Sequence, residues 1–225
     1  MPIAPTLRRA CISLAVFLAG GIMVLAQWAP ALAVQFDADR LQRLAYQRYG
    51  ARGSALVSEW METLGKARAL PELQQLRMVN AFWNSNVMGG EDIDIWGQTD
   101  YWATPLETLG RRAGDCEDYV IGKYFSLLYL GVPAERLRLI YVRARVGGQT
   151  IAHMVLGYYE SPSSDPLILD SLTSTMARAG ARRDLTPVFS FNAQALYVAG
   201  ETRSVGGIRR WQDLLVRMRA EGIEP

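Results

Sequence analysis

The sequence predicts an α+β fold, with helices gathered in the first half of the chain and an antiparallel sheet after them. Two patterns carry that expectation. From position 36 to about 87, apolar residues recur at the spacing of a helix face. Beyond Gly131 the apolar runs become short and β-type, bounded by Gly, Pro and Ser. Helical runs followed by strand runs are the α+β layout.

The chain opens with the features of a secretory signal. Arg8 and Arg9 form a positive start, residues 12–25 a mostly apolar stretch, and Ala31-Leu32-Ala33 a small-x-small cleavage site. An uncleaved anchor is the rival reading, since the apolar stretch approaches spanning length. Gly20-Gly21, Pro30 and the Ala-x-Ala ending favour removal after Ala33, with residues 34–225 left as one exported domain. Cys11 lies before the apolar stretch, too early for a lipid-modified cysteine, and would leave with the signal.

In the domain itself, Leu41, Leu44 and Ala45, then Leu56, Trp60 and Leu64, mark helices, with Gly50 and Gly65 expected as breaks. Pro71 is expected at the first position of the next helix, where its missing N–H costs nothing. Residues 89–113 read as loop, rich in Gly, Asp and Trp, and end on the helix-start signal Thr104-Pro105-Leu106-Glu107. After Gly114, Tyr119, Val120, Tyr124, Leu127 and Leu128 predict a helix that stops before Gly131. Strands are expected over 137–146, 151–159 and 167–170, with further ones within 188–198. An amphipathic helix over about 208–219 closes the chain.

Charge narrows the function classes. The whole chain carries 24 basic and 22 acidic residues. Removing Arg8 and Arg9 leaves a mature net charge of zero, without the clustered basic excess that nucleic acid or an anionic membrane surface requires. The pairs Arg182-Arg183 and Arg209-Arg210 read as solvated surface.

The mature domain would hold one cysteine, Cys116, and one histidine, His153. A lone cysteine in an exported chain cannot form an internal disulfide, so its setting, Gly114-Asp115-Cys116-Glu117-Asp118-Tyr119, must explain it. Cys116 falls in the first turn of its helix, where free N–H groups and the helix dipole favour thiolate. Asp115, Glu117 and Asp118 oppose this, because three carboxylates raise a thiol pKa. A hard cation such as Ca²⁺ would offset them while using their oxygens as ligands.

His153 lies in one expected strand and Asp170 ends the next. If the two strands form a hairpin with Tyr159 near Pro166 or Leu167, His153 falls opposite residues 170–173, within reach of Asp170. A carboxylate holding one ring nitrogen, with the other facing a thiol, is the arrangement of nucleophile, base and orienting group. Each residue also has a plain structural reading. A buried cysteine serves as core filler, a histidine in an apolar strand as a satisfied core residue, and a strand-end aspartate as a turn former. The residues alone leave a thiol enzyme and a calcium-dependent binding module both open.

Several segments together resemble the bacterial transglutaminase-like cysteine proteinases: residues 101–109, the Gly114-Asp115-Cys116-Glu117-Asp118-Tyr119 block, residues 152–156, Leu169-Asp170, and parts of 182–192. The resemblance implies a papain-like, transglutaminase-type core with Cys116 as nucleophile, His153 as general base and acid, and Asp170 as orienting carboxylate. It implies calcium at Asp115 and Glu117, with Asp118 less directly included. The Cys116 N–H is the natural oxyanion donor, and Trp102 is a second candidate through its indole N–H, set against a role as a core aromatic. The resemblance further implies a periplasmic endopeptidase that cuts a large surface adhesin near its N-terminus at a paired-alanine site, freeing a biofilm cell. An inner-membrane cyclic di-GMP receptor would restrain it. Acyl transfer between proteins and hydrolysis of cell-wall peptides are the alternatives within thiol chemistry.

Overall fold

Asp37 starts the first long helix by accepting the Arg40 N–H on its side chain at 2.9 Å, the interaction that satisfies an otherwise unpaired amide at a helix start. The computed structural model describes residues 34–193, 195–198, 201–204 and 208–224. The expected signal segment, residues 1–33, lies outside the described residues. Strand β1 (Gln35–Phe36) precedes helix α1 (Ala38–Ala67), which kinks at Gly50, where φ is 67°, a conformation that favours glycine. The expected break at Gly65 does not occur. Helix α1 continues through it because nothing there requires left-handed backbone and the flanking Trp60 and Leu64 are buried in the core.

Helix α2 (Glu72–Asn86) follows Pro71, which occupies the N-cap rather than the expected first helical position. The stretch expected as loop then holds strand β2 (Met88–Gly89) and the short helix α3 (Asp92–Trp96). Helix α4 (Pro105–Arg111) starts on a capping box: Thr104 Oγ1 accepts the Glu107 N–H at 3.1 Å, and Glu107 Oε2 accepts the Thr104 N–H at 2.8 Å. Strand β3 (Ala113–Gly114) pairs in parallel with β2 and leads directly into helix α5 (Cys116–Tyr129).

Helix α5 is the centre of the core, with every residue from Tyr119 to Leu128 buried. Its small residues Gly122 and Ser126, one turn apart, admit two large aromatics. Trp60 of α1 and Trp83 of α2 both donate their indole N–H groups to Ser126 Oγ, at 2.9 and 3.1 Å. The Trp83 ring lies where a Cβ on Gly122 would fall, 2.3 to 2.5 Å from its nearest ring atoms. Close packing of this kind fixes where the N-terminus of α5, and so Cys116, sits relative to the first two helices.

Among the described residues, strands β4 to β10 form a seven-stranded antiparallel sheet, in the order β10-β9-β8-β4-β5-β6-β7. They are β4 (Leu137–Val146), β5 (Gln149–Tyr158), β6 (Leu167–Leu169), β7 (Ala177–Arg178), β8 (Leu185–Phe191), β9 (Ala195–Val198) and β10 (Glu201–Ser204). Strands β4 and β5 pair along their full length, from Leu137↔Tyr158 to Val146↔Gln149. Leu137, Leu139, Met154, Leu156 and Phe191 join the main core, while Ile140, Val142, Ala144, Val155 and Ile168 form a separate buried cluster, the alternation expected of strands. Helix α6 (Arg209–Glu221) buries Trp211, Leu214 and Met218, and β11 (Ile223–Glu224) pairs with β1. Among the described residues, no helix is long and apolar enough to cross a membrane.

Candidate active site

Three elements converge on one cleft. Asp115, between β3 and α5, caps α5 by accepting the Asp118 N–H on its side chain at 3.4 Å, which makes Cys116 the first helical residue. The sequence achieves this locally, with an acidic cap directly after Gly114. Strand β5 carries His153 opposite Val142 of β4. Strand β6 pairs with β5 from Tyr158↔Leu167 to Leu156↔Leu169 and then ends, so Asp170 leaves the sheet one residue later. That register lies within the range the hairpin argument anticipates.

His153 Nε2 and Asp170 Oδ1 are 2.7 Å apart, and the two side chains are only 3% and 0% exposed. An ionised carboxylate only accepts, so Nε2 carries the proton and Nδ1 is left as the basic nitrogen. Asp170 Oδ1 also accepts the Leu172 N–H at 3.0 Å. The turn role and the orienting role of this aspartate therefore coexist. Burial by itself would raise the Asp170 pKa, but the hydrogen bonds from His153 and the Leu172 amide, with the nearby positive charge, bring it down to about 2.

Cys116 and His153 line the same cleft, of about 520 Å³, together with Gly89, Gly90, Tyr141 and Leu172. The Met154 backbone, next to His153, acts to favour the Cys116 thiolate. The stronger influences act the other way. Burial raises the thiol pKa, and Glu117, which accepts the S–H on Oε2 at 3.0 Å, raises it further, as does Asp115.

A group of carboxylates adjoins the thiol. Oxygens of Asp92, Asp115 and Asp118 lie within 4.8 Å of one another, and so do oxygens of Asp92, Asp100 and Glu117. Asp92 and Asp118 are built alike. Asp92 Oδ2 accepts the Tyr101 N–H at 2.5 Å and Asp118 Oδ1 accepts the Ala103 N–H at 2.8 Å, while the second oxygen of each is buried without a hydrogen-bond partner among the described residues. An unpaired buried carboxylate oxygen is costly, and a bound hard cation would satisfy both. Burial, together with the neighbouring carboxylates, raises the pKa of Asp92, Asp115 and Asp118. The donor set therefore fits a divalent cation with oxygen ligands.

The cysteine at a helix start, the buried His–Asp pair beside it and the acidic group around it coincide with the region that matches a family model. Residues 46–179 match the bacterial transglutaminase-like cysteine proteinases. The chain belongs to this family. Among solved structures, LapG of Legionella pneumophila treated with EGTA is similar at 37% identity and a TM-score of 0.72, over 84% of this chain and 100% of that one. The calcium-bound form of the same Legionella protein is similar at 39% identity and a TM-score of 0.69, over 80% and 98% of the two chains. No curated protein sequence matched the chain.

In this cysteine proteinase the site includes residues that sequence reasoning missed. Arg182, expected as solvated surface, is 12% exposed. Its Nη2 donates to Asp170 Oδ2 at 2.7 Å and to Asp184 Oδ2 at 2.7 Å, and its Nε donates to Asp184 Oδ1 at 3.0 Å. The Asn84 side-chain amide of α2 donates to the Asp170 carbonyl at 2.8 Å, so the aspartate is held from three sides. Asp92 was also missed, because an acidic residue in a Gly-rich stretch carries no metal-ligand spacing. Lys123, two turns beyond Cys116 on α5, is fully buried and 5.7 Å from the Tyr119 ring centroid; burial lowers its pKa to about 7 against the opposing pull of Asp170. Trp102 is buried and stacked on Phe191, with ring centroids 5.8 Å apart; it does not line the cleft, and its indole N–H has no partner among the described residues.

Proposed function

We propose that this cysteine proteinase is a calcium-dependent endopeptidase in which Cys116 is the nucleophile, His153 the general base and acid, and Asp170 the orienting carboxylate. The observation that carries the assignment is the buried 2.7 Å bond between His153 Nε2 and Asp170 Oδ1, beside Cys116 in one cleft. His153 Nδ1 takes the thiol proton as the sulfur attacks the scissile carbonyl carbon. The negative charge that develops on the carbonyl oxygen is stabilised by the Cys116 N–H at the start of α5, where amides have no intrahelical acceptor. The imidazolium then protonates the leaving amine, the C–N bond breaks, and a thioester remains. His153 deprotonates a water that attacks this thioester, and the Cys116 thiolate is released.

Asp92, Asp115 and Asp118 would hold calcium, with Glu117 as a further ligand. Calcium held there supplies the positive charge that cancels the carboxylate field opposing thiolate formation. The calcium-bound state of the similar Legionella protein supports this reading.

Family membership supports a wider proposal: the chain is exported to the periplasm and cuts the N-terminal region of a large surface adhesin at a paired-alanine site. That cleavage promotes biofilm dispersal, and an inner-membrane cyclic di-GMP receptor restrains it. The test combines purified residues 34–225 with a recombinant adhesin N-terminal region and reads the products by mass spectrometry. The expected result is a new N-terminus within an Ala-Ala pair, abolished in Cys116→Ser and reversibly lost in EGTA. Ammonia release with a mass increase would instead assign acyl transfer. Unchanged processing by Cys116→Ser would refute a thiol enzyme.

A further inference from the structure

The edge of β2 is an open strand edge built into the wall of the cleft. Among the described residues, β2 pairs only with β3. Met88 N–H donates to the Arg112 carbonyl at 2.9 Å and Gly90 N–H to the Gly114 carbonyl at 3.2 Å, so the backbones of residues 88 and 90 both face β3. Successive residues of a strand direct their N–H and C=O groups to opposite edges. The N–H and C=O of Gly89 therefore face away from β3, towards the unpaired edge. Gly89 is in register with Gly114, two residues before Cys116, and both Gly89 and Gly90 line the cleft with Cys116 and His153.

Gly89 has another property that suits it to receive a chain. A Cβ placed on it would meet nothing within 4 Å, so the face of the strand at this residue is open. A side chain is absent at the position where another main chain would have to approach closely. Unpaired strand edges of this kind bind extended peptides by adding a strand, with backbone hydrogen bonds as the source of affinity.

We propose that Gly89 is a main-chain docking site for the substrate, exchanging a pair of backbone hydrogen bonds with one residue of an extended peptide as that peptide passes Cys116. The assignment rests on the endopeptidase reading above and adds a substrate requirement to it. The segment to be cut must be extended rather than helical, and the residue opposite Gly89 must not be proline, which has no N–H to donate. Side-chain identity at that residue matters less than its amide.

The experiment uses calcium-loaded residues 34–225 and a proteome-derived peptide library, with cleavage products identified by mass spectrometry. Wild-type protein is expected to cleave peptides that exclude proline at one fixed distance from the cut. Gly89→Pro removes the outward N–H, and Met88 before it already has the extended backbone that proline demands. This variant is expected to lose about tenfold or more in kcat/KM, through KM, the scale of one or two hydrogen bonds. Its calcium-induced rise in melting temperature and its Cys116 labelling by iodoacetamide should match wild type. The best-cleaved peptide is then resynthesised with a single N-methyl group at each position in turn. One position should lose activity to a similar degree with wild-type protein, a readout that does not depend on how Gly89→Pro folds. Wild-type cleavage with no proline exclusion and no sensitive N-methyl position would overturn the docking assignment and leave the peptidase reading standing. An untouched library would overturn the peptidase reading itself, and the docking assignment with it.

Discussion

Replacing Asp170 by Asn probes the His–Asp pair because the amide cannot reproduce the carboxylate's contacts in either orientation. Asp170 accepts from three donors: His153 Nε2 and the Leu172 N–H on Oδ1, and Arg182 Nη2 on Oδ2. With the amide oxygen towards Arg182, the NH₂ group faces the His153 and Leu172 donors; with the orientation reversed it faces Arg182. At least one buried donor loses its acceptor, at a cost of about 1–3 kcal/mol. Linkage gives a second route to the magnitude. The carboxyl pKa falls from 3.8 to about 2 on folding, which at ~1.36 kcal/mol per pH unit corresponds to about 2 kcal/mol. Because the folded-state pKa is the lower one, this stabilisation is complete above about pH 4 and is lost as pH falls through 2. Urea unfolding followed by tryptophan fluorescence should show Asp170→Asn less stable by about 2–3 kcal/mol at pH 7. The difference from wild type should shrink between pH 4 and pH 2. Turnover should fall by about two to four orders of magnitude, because the imidazole is no longer held in the Nε2–H tautomer. Equal stability at pH 7, or a difference that stays constant down to pH 2, would refute the proposed role of the buried carboxylate.

Arg182→Met should lower kcat about tenfold to a hundredfold with KM little changed, since it orients Asp170 without lining the cleft; steady-state kinetics showing only a KM effect would contradict this. Asp92→Asn should reverse sign with calcium. Without the ion it should raise the melting temperature by relieving repulsion and unpaired burial, whereas at calcium a hundredfold above Kd it should lose most of the ~2.7 kcal/mol of ligand stabilisation. An unchanged calcium-induced shift by differential scanning fluorimetry would remove Asp92 from the ligand set. Gly122→Ala should destabilise by about 3 kcal/mol or more, because the new methyl overlaps the Trp83 ring. Gly65→Ala, with no atom within 4 Å of the added carbon, should instead stabilise α1 by about 0.5–1 kcal/mol; chemical denaturation of both variants checks the contrast.

The two glycine predictions show what kind of information a chain discloses locally. Glycine identity suggested a break at both Gly50 and Gly65, but only Gly50 adopts positive φ and kinks α1. The helix start at Thr104 was readable because its capping box is satisfied within three residues of the signal, and so was the start of α5 after Gly114. The His153–Asp170 approach was readable because a hairpin of known period joins the two residues. Arg182 was not, since its partners lie 12 and 2 residues away and nothing in the Arg182-Arg183 pair distinguishes the buried side chain from the exposed one.

By itself the sequence determined the order of the long helices and of the central strands, the placement of Cys116 at a helix start, the strands that carry His153 and lead to Asp170, and the acidic setting of the thiol. All of these depend on periodicity, capping or near-neighbour charge. The tertiary structure alone brought Asp92 to Asp115 and Asp118, set Arg182 behind Asp170, buried Trp102 on Phe191, and turned the free edge of Gly89 into the cleft. Each of those contacts joins elements distant in the chain. Their geometry follows from close packing around α5 and from strand pairing, neither of which leaves a local pattern in the sequence.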